Sequence, residues 1–191
     1  TAFCYMFAEL GSANYPALVT NWHVVEGAVQ GKLRFTCYPA ESSSTPDHIE
    51  FLVPQFESQW LRHPDRTVDL CIMPLMPFFR GAEAQGKRIL LVGMAKDRIL
   101  TQEELDDLTA VEEVLMVGYP NGIWDAVNNM PVMRRGVTAT HPRLDYNGTP
   151  EFMIDAACFP GSSGSPVFLF SSGTYFSKTH GPVLGSRAKL L

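Results

Sequence analysis

Short apolar runs separated by polar, Gly-rich and Pro-rich turns set the rhythm of this chain. Residues 2–8 are continuously apolar, with aromatic residues at 3, 5 and 7, a pattern that predicts a buried strand. A loop over Gly11–Tyr15 and a second strand over Ala17–Thr20 follow. Gly31–Tyr38 alternates, with Lys32, Arg34 and Thr36 on one face and Leu33, Phe35 and Cys37 on the other. A polar loop at Glu41–His48 leads to a strand over Ile49–Val53, which Pro54 breaks and so marks as an edge. A strand opened by Asp69 (Leu70–Met73) and another over Lys87–Gly93 bring the count to six, enough to close a small barrel.

The pattern changes after residue 94. Thr101-Gln-Glu-Glu104 fits a helix capping box, and Leu105 and Leu108 follow at helical spacing. Residues 95–113 therefore read as an acidic connector with a short helix. Strands resume at Val114–Val117, ending in the turn Gly118–Gly122, and at Pro131–Thr140. Asn147-Gly148 is a hairpin signal, with Glu151–Cys158 as its return strand. Val167–Phe170 is a strand, a Ser/Gly/Thr-rich loop runs to about Pro182, and Leu184–Leu191 begins a last strand. The expected architecture is all-β: two six-stranded antiparallel barrels, 1–94 and 114–191, the second incomplete at its C-terminal end.

Composition narrows the function classes. Apolar residues make up 46% of the chain, which is ordinary for a globular protein. The net charge is −5, and six acids with no Lys or Arg fall between Thr101 and Glu113, leaving the remainder near neutral. No basic footprint for nucleic acid is present, and no run reaches transmembrane length. Cys4, Cys37, Cys71 and Cys158 are scattered through strand-like runs with no C-x-x-C, which favours reduced thiols acting as small hydrophobes over a zinc site or disulfides. That preference tilts the compartment, otherwise open, toward the cytoplasm. Asn147-Gly-Thr149 is a glycosylation sequon, of consequence only in a secreted protein. The chain opens within a strand, so any targeting segment is expected upstream of Thr1.

The chemistry concentrates at Phe159-Pro-Gly-Ser-Ser-Gly-Ser-Pro166. A Gly-X-Ser-Gly turn directly before a strand presents one hydroxyl at its tip, with backbone N–H groups aimed at whatever that hydroxyl attacks. Ser163 is the candidate nucleophile, and the N–H groups of Gly161 and Ser163 are the candidate oxyanion hole. Gly/Ser/Pro turns are common, so the reading depends on a base and an orienting carboxylate elsewhere. His23 stands at the end of the second strand. Asp69 opens an otherwise apolar strand, where a buried carboxylate needs a partner. Asp65 is the better candidate for a plain turn residue.

His23, Asp69 and Ser163 occur in the chain order of the chymotrypsin template. At these residues the sequence resembles trypsin-like serine peptidases of the chymotrypsin fold, most closely the bacterial Deg/HtrA-like kind without disulfides. Val19–Gly27 is similar to that group's histidine motif, Val68–Met73 to its aspartate strand, and Asp155–Pro166 to its serine motif. Gly118-Tyr-Pro120 and Arg135-Gly-Val137 also fit. The resemblance implies a serine endopeptidase with protein or peptide substrates, no cofactor and no metal. His23 is its general base, Asp69 orients His23, and Ser163 forms the acyl-enzyme. It places the base of the specificity pocket at Ala156, Ala157 and Cys158, where no acid stands, so a small or apolar residue is expected before the cut. It places one pocket wall and a substrate-pairing strand beyond Leu191. Ser162 stands where the animal digestive enzymes carry an aspartate that pairs with a new N-terminus, and Ser165 replaces a commoner glycine. A fused or partner regulatory domain is expected to restrain such an activity.

Two other classes compete with this reading. An α/β-hydrolase needs the order Ser, Asp, His and a helix after the serine, and neither is present. The serious rival is a trypsin-fold binding or scaffold domain that is inactive or conditionally switched. The five histidines form no H-E-x-x-H cluster, so a metal enzyme has no support.

Overall fold

The computed structural model describes residues 1–10, 13–39 and 45–191. The chain divides into two compact units, Thr1–Lys96 with Trp124–Met130, and Asp97–Ile123 with Pro131–Leu191. Both are built from strands, and the all-β class expected from the sequence is observed.

The first unit holds β1 (Phe3–Leu10), β2 (Ala13–Thr20), β3 (Gln30–Pro39), β4 (Asp47–Pro54), β5 (Leu61–Arg62), β6 (Cys71–Pro74) and β7 (Lys87–Ile89). It also holds two helices, α1 (Trp22–Val25) and α2 (Met76–Glu83). The strands form two antiparallel sheets, ordered β1-β2-β6-β5 and β4-β3-β7. β4 is an edge, as Pro54 requires of a residue that cannot donate to a ladder. The alternation in β3 is realised: Phe35 and Cys37 are buried while Lys32 is exposed. Inward side chains of both sheets meet in one core that includes Cys4, Leu18, Phe35, Ile49, Trp60, Met73 and Leu75. Phe78 of α2 closes it by packing against Phe35 and Phe51.

The second unit holds α3 (Gln102–Asp106) and five strands, β8 (Glu113–Gly118), β9 (Val132–Thr138), β10 (Ile154–Asp155), β11 (Val167–Ser177) and β12 (Gly181–Leu190). They form one sheet ordered β10-β9-β8-β11-β12. The Thr101 capping box forms, with the Glu104 amide donating to Thr101 Oγ1 at 3.2 Å and the Thr101 amide to Glu104 Oε2 at 2.8 Å. Val114, Met116 and Leu169 are buried in the sheet, and Leu108 is buried in the same unit. An ion pair between half-buried Arg187 and buried Glu112 ties β12 to the residue preceding β8.

Several boundaries differ from expectation. The loop expected over Gly11–Tyr15 falls outside the described residues at 11 and 12, and from Ala13 on it is already β2. The polar loop expected over Glu41–His48 is likewise outside them at 41–44, while Asp47 and His48 belong to β4. The Ser/Gly/Thr-rich stretch after Phe170 is no loop: β11 and β12 pair continuously from Phe168–Leu190 to Ser177–Gly181. Exposed positions of a hairpin carry no apolar signal, so a polar strand reads as a loop until its partner is known. The return strand expected over Glu151–Cys158 is paired only at Ile154 and Asp155. The six-stranded count is also revised. Among the described residues the first unit has seven strands in two sheets and the second has five in one, and the sheets do not close. Among those residues, no helix is long and apolar enough to cross a membrane.

Candidate active site

Thr20 ends β2, and Asn21 caps the four-residue helix α1, which carries His23. His23 thus sits in a helical turn just past the strand rather than at the strand end itself. Asp69 lies two residues before β6, ahead of the strand rather than in it. The pairing of β2 with β6, Thr20 opposite Cys71, brings these two segments side by side. His23 Nδ1 lies 2.5 Å from Asp69 Oδ2, and the His23 amide donates to Asp69 Oδ1 at 3.0 Å. One carboxylate therefore holds both the ring and the backbone of the histidine. Asn21 Nδ2 donates to the Asp69 carbonyl at 2.8 Å and fixes the aspartate's own backbone.

Asp69 finds in His23 the partner that a carboxylate entering an apolar strand calls for, and the pair stays open to solvent. The side chains of His23 and Asp69 keep 55% and 46% of their surface exposed. What burial there is raises the Asp69 pKa, but the hydrogen bonds from the His23 ring and amide, with the His23 charge, outweigh it and hold the carboxyl below its usual range. Asp65 has the plain role expected of it, accepting from the Thr67 amide and hydroxyl within a tight turn.

In the second unit, the serine segment is two consecutive turns. The Ser162 amide donates to the Phe159 carbonyl at 3.0 Å, and the Ser165 amide to the Ser162 carbonyl at 2.9 Å. Gly161 and Gly164 each occupy the third position of a turn, with φ of +86° and +76°, values that side chains rarely adopt. At Gly161 a Cβ would also approach the Tyr119 carbonyl to 2.9 Å. The Asn121 amide donates to the Pro160 carbonyl at 2.7 Å. Because a trans peptide points its C=O and N–H in opposite directions, this bond aims the Gly161 N–H away from Asn121. Ser163 is exposed at the tip of the second turn.

Ala156, Ala157 and Cys158 connect β10 to the serine turns, Ala156 half-buried and the other two exposed. All four cysteines are free thiols, and Cys4, Cys37 and Cys71 are buried as expected. Cys158 is exposed, because the pairing that would have buried it ends at Asp155. Burial pushes the Cys4 and Cys71 thiols up to about 11. Among the described residues, no group of three or more His, Cys, Asp or Glu could hold a metal ion. Sequence reasoning missed Asn21, Asn121 and Arg134, which bond to main-chain atoms of these segments and, for Arg134, to a serine hydroxyl. Only the short spacing of Asn21 from His23 offered a hint.

Two β-rich units, one carrying a carboxylate-bound histidine and the other a serine on a double glycine turn, define a chymotrypsin-like architecture. The chain belongs to the trypsin-like peptidase domain family, whose model matches residues 6–175. No curated protein and no solved structure matches it.

Proposed function

We propose that this chain is a serine endopeptidase that cleaves peptide bonds through an acyl-enzyme on Ser163. His23 takes the Ser163 proton and later protonates the leaving amine. Asp69 keeps His23 in the tautomer with its proton on Nδ1 and stabilises the imidazolium that forms. The Gly161 and Ser163 amides receive the tetrahedral oxyanion. The observation that carries this reading is the double hold of one carboxylate on His23, at ring and amide. A histidine with a merely structural role has no need of a ring fixed in one tautomer beside open solvent. Family membership supports protein substrates.

Ala156, Ala157 and Cys158 form the pocket base in this proposal, and the absence of an acid there favours a small or apolar residue before the cut. The free cysteines agree with a disulfide-free enzyme of the Deg/HtrA-like bacterial type. Restraint of the activity falls to a fused or partner regulatory domain.

The test is labelling with a fluorophosphonate probe, beside a Ser163→Ala control. Labelling of the wild-type chain and none of the control is the expected result. No labelling of either would replace this reading with that of an inactive or conditionally switched trypsin-fold binding domain. Peptide substrates then test the pocket: valine or alanine before the cut should be preferred, and faster cleavage after arginine would overturn that assignment.

A further inference from the structure

Arg134 lies on β9, opposite Met116 of β8, with only 8% of its surface exposed. Its Nη1 donates to the Ala157 carbonyl at 2.9 Å and to Ser162 Oγ at 2.6 Å. The same Ser162 hydroxyl accepts from the Phe159 amide at 3.1 Å. Nε and Nη2 of this guanidinium are buried without a hydrogen-bond partner. Among the described residues, no acid is paired with Arg134. A buried cation with two idle donors costs stability, and an apolar side chain of similar volume would serve the core better. Its two bonds therefore need another explanation, and both go to the serine segment. Ser162 stands in the chain between Gly161 and Ser163, the two residues whose amides would meet the oxyanion.

We propose that Arg134 is the positioning residue of the serine turn: from beneath, its guanidinium clamps Ala157 and Ser162 so that the Gly161 and Ser163 amides stay aimed at the reacting carbonyl oxygen. Its fixed positive charge adds to the field that this oxygen's developing negative charge meets. The clamp is built into the sheet, so it is in place before substrate arrives. The proposal rests on Ser163 being the nucleophile, and two experiments keep the two ideas apart.

The first measures the rate of fluorophosphonate labelling, and kcat and KM on a peptide substrate, for Arg134→Met, Arg134→Lys and Ser162→Ala. Losing a hydrogen bond to a charged group is worth about 10- to 100-fold in rate. Arg134→Met should lose about that much in labelling and kcat with KM nearly unchanged. Arg134→Lys, which keeps the charge and one donor, should recover part of the loss, and Ser162→Ala should lose about 10-fold. Rates for Arg134→Met and Ser162→Ala within twofold of wild type would overturn the proposal. So would a loss matched by KM.

The second needs no activity. Amide hydrogen exchange of the peptide spanning 157–165 should quicken in Arg134→Met while β8 and β11 stay protected. Unchanged protection of that peptide would overturn the clamp even if the wild-type chain proves unreactive toward the probe. Should Arg134→Met fail to fold, Ser162→Ala decides in both experiments, because it removes the accepting hydroxyl and leaves the guanidinium in the sheet.

Discussion

Asp69 shows how much one side chain can be asked to do. Its two oxygens divide the task, one holding the His23 ring and the other the His23 amide, while Asn21 secures its carbonyl. Asp69→Asn keeps the shape and loses the acceptor that selects the tautomer. Its expected cost is about 10⁴ in kcat, the magnitude seen when a triad histidine is left in the wrong tautomer. Peptide hydrolysis measured against wild type checks this, and a loss below tenfold would remove Asp69 from the proposed triad. Asn21→Ala should cost far less, roughly tenfold at most, since its bond to the Asp69 carbonyl is a neutral one and the carboxylate stays. At this scale the proposed site was largely legible: histidine, aspartate and serine each stand in a local pattern that chemistry recognises. Asn121 was not legible, because what acts there is a backbone N–H that any residue other than proline carries.

Elements decide where those residues can stand. β9 runs so close to the end of β10 that a Cβ on Gly136 would lie 2.3 Å from the Asp155 carbonyl. Gly136→Ala should therefore destabilise the second unit by on the order of 3 kcal/mol, read by urea unfolding. A stability within 0.5 kcal/mol of wild type, roughly the scatter of neutral surface changes, would mean that the strands part easily. The β11–β12 hairpin turn leans on Asp107, whose Oδ1 accepts from the Thr179 amide at 2.8 Å. Bonds from the Thr179 and Ser177 side chains and from the Thr179 amide push the Asp107 carboxyl down to about 2. A lowered carboxyl pKa stabilises the folded state fully above the unfolded value of about 4, and that support is lost as pH falls toward 2. The Thr179 amide resonance of the folded protein should hence titrate with a midpoint near the carboxyl's lowered value of about 2. In Asp107→Asn that transition should vanish, and its persistence would assign the titration to another group.

The whole molecule hides three of its four thiols. Cys4, Cys37 and Cys71 are buried while Cys158 is exposed, so a thiol reagent should modify one equivalent quickly in the native protein and four in denaturant. Fast reaction of a second thiol would show that the first unit opens under native conditions. Since no cysteine is paired, a reducing agent should leave the melting temperature unchanged. At this scale the sequence by itself determined the all-β class, the capping box at Thr101 and the reduced thiols, and it named the residues of the proposed chemistry. Each of those rests on local pattern: apolar period, turn residues, or a functional group in a short motif. Only the tertiary structure decided that the serine- and threonine-rich stretch after Phe170 is a strand, that Cys158 faces solvent and Asp69 is half-open, and that Arg134 reaches Ala157 and Ser162. Those depend on which strand pairs with which and on where a long side chain ends. A sequence carries such information only through contacts between residues far apart along the chain.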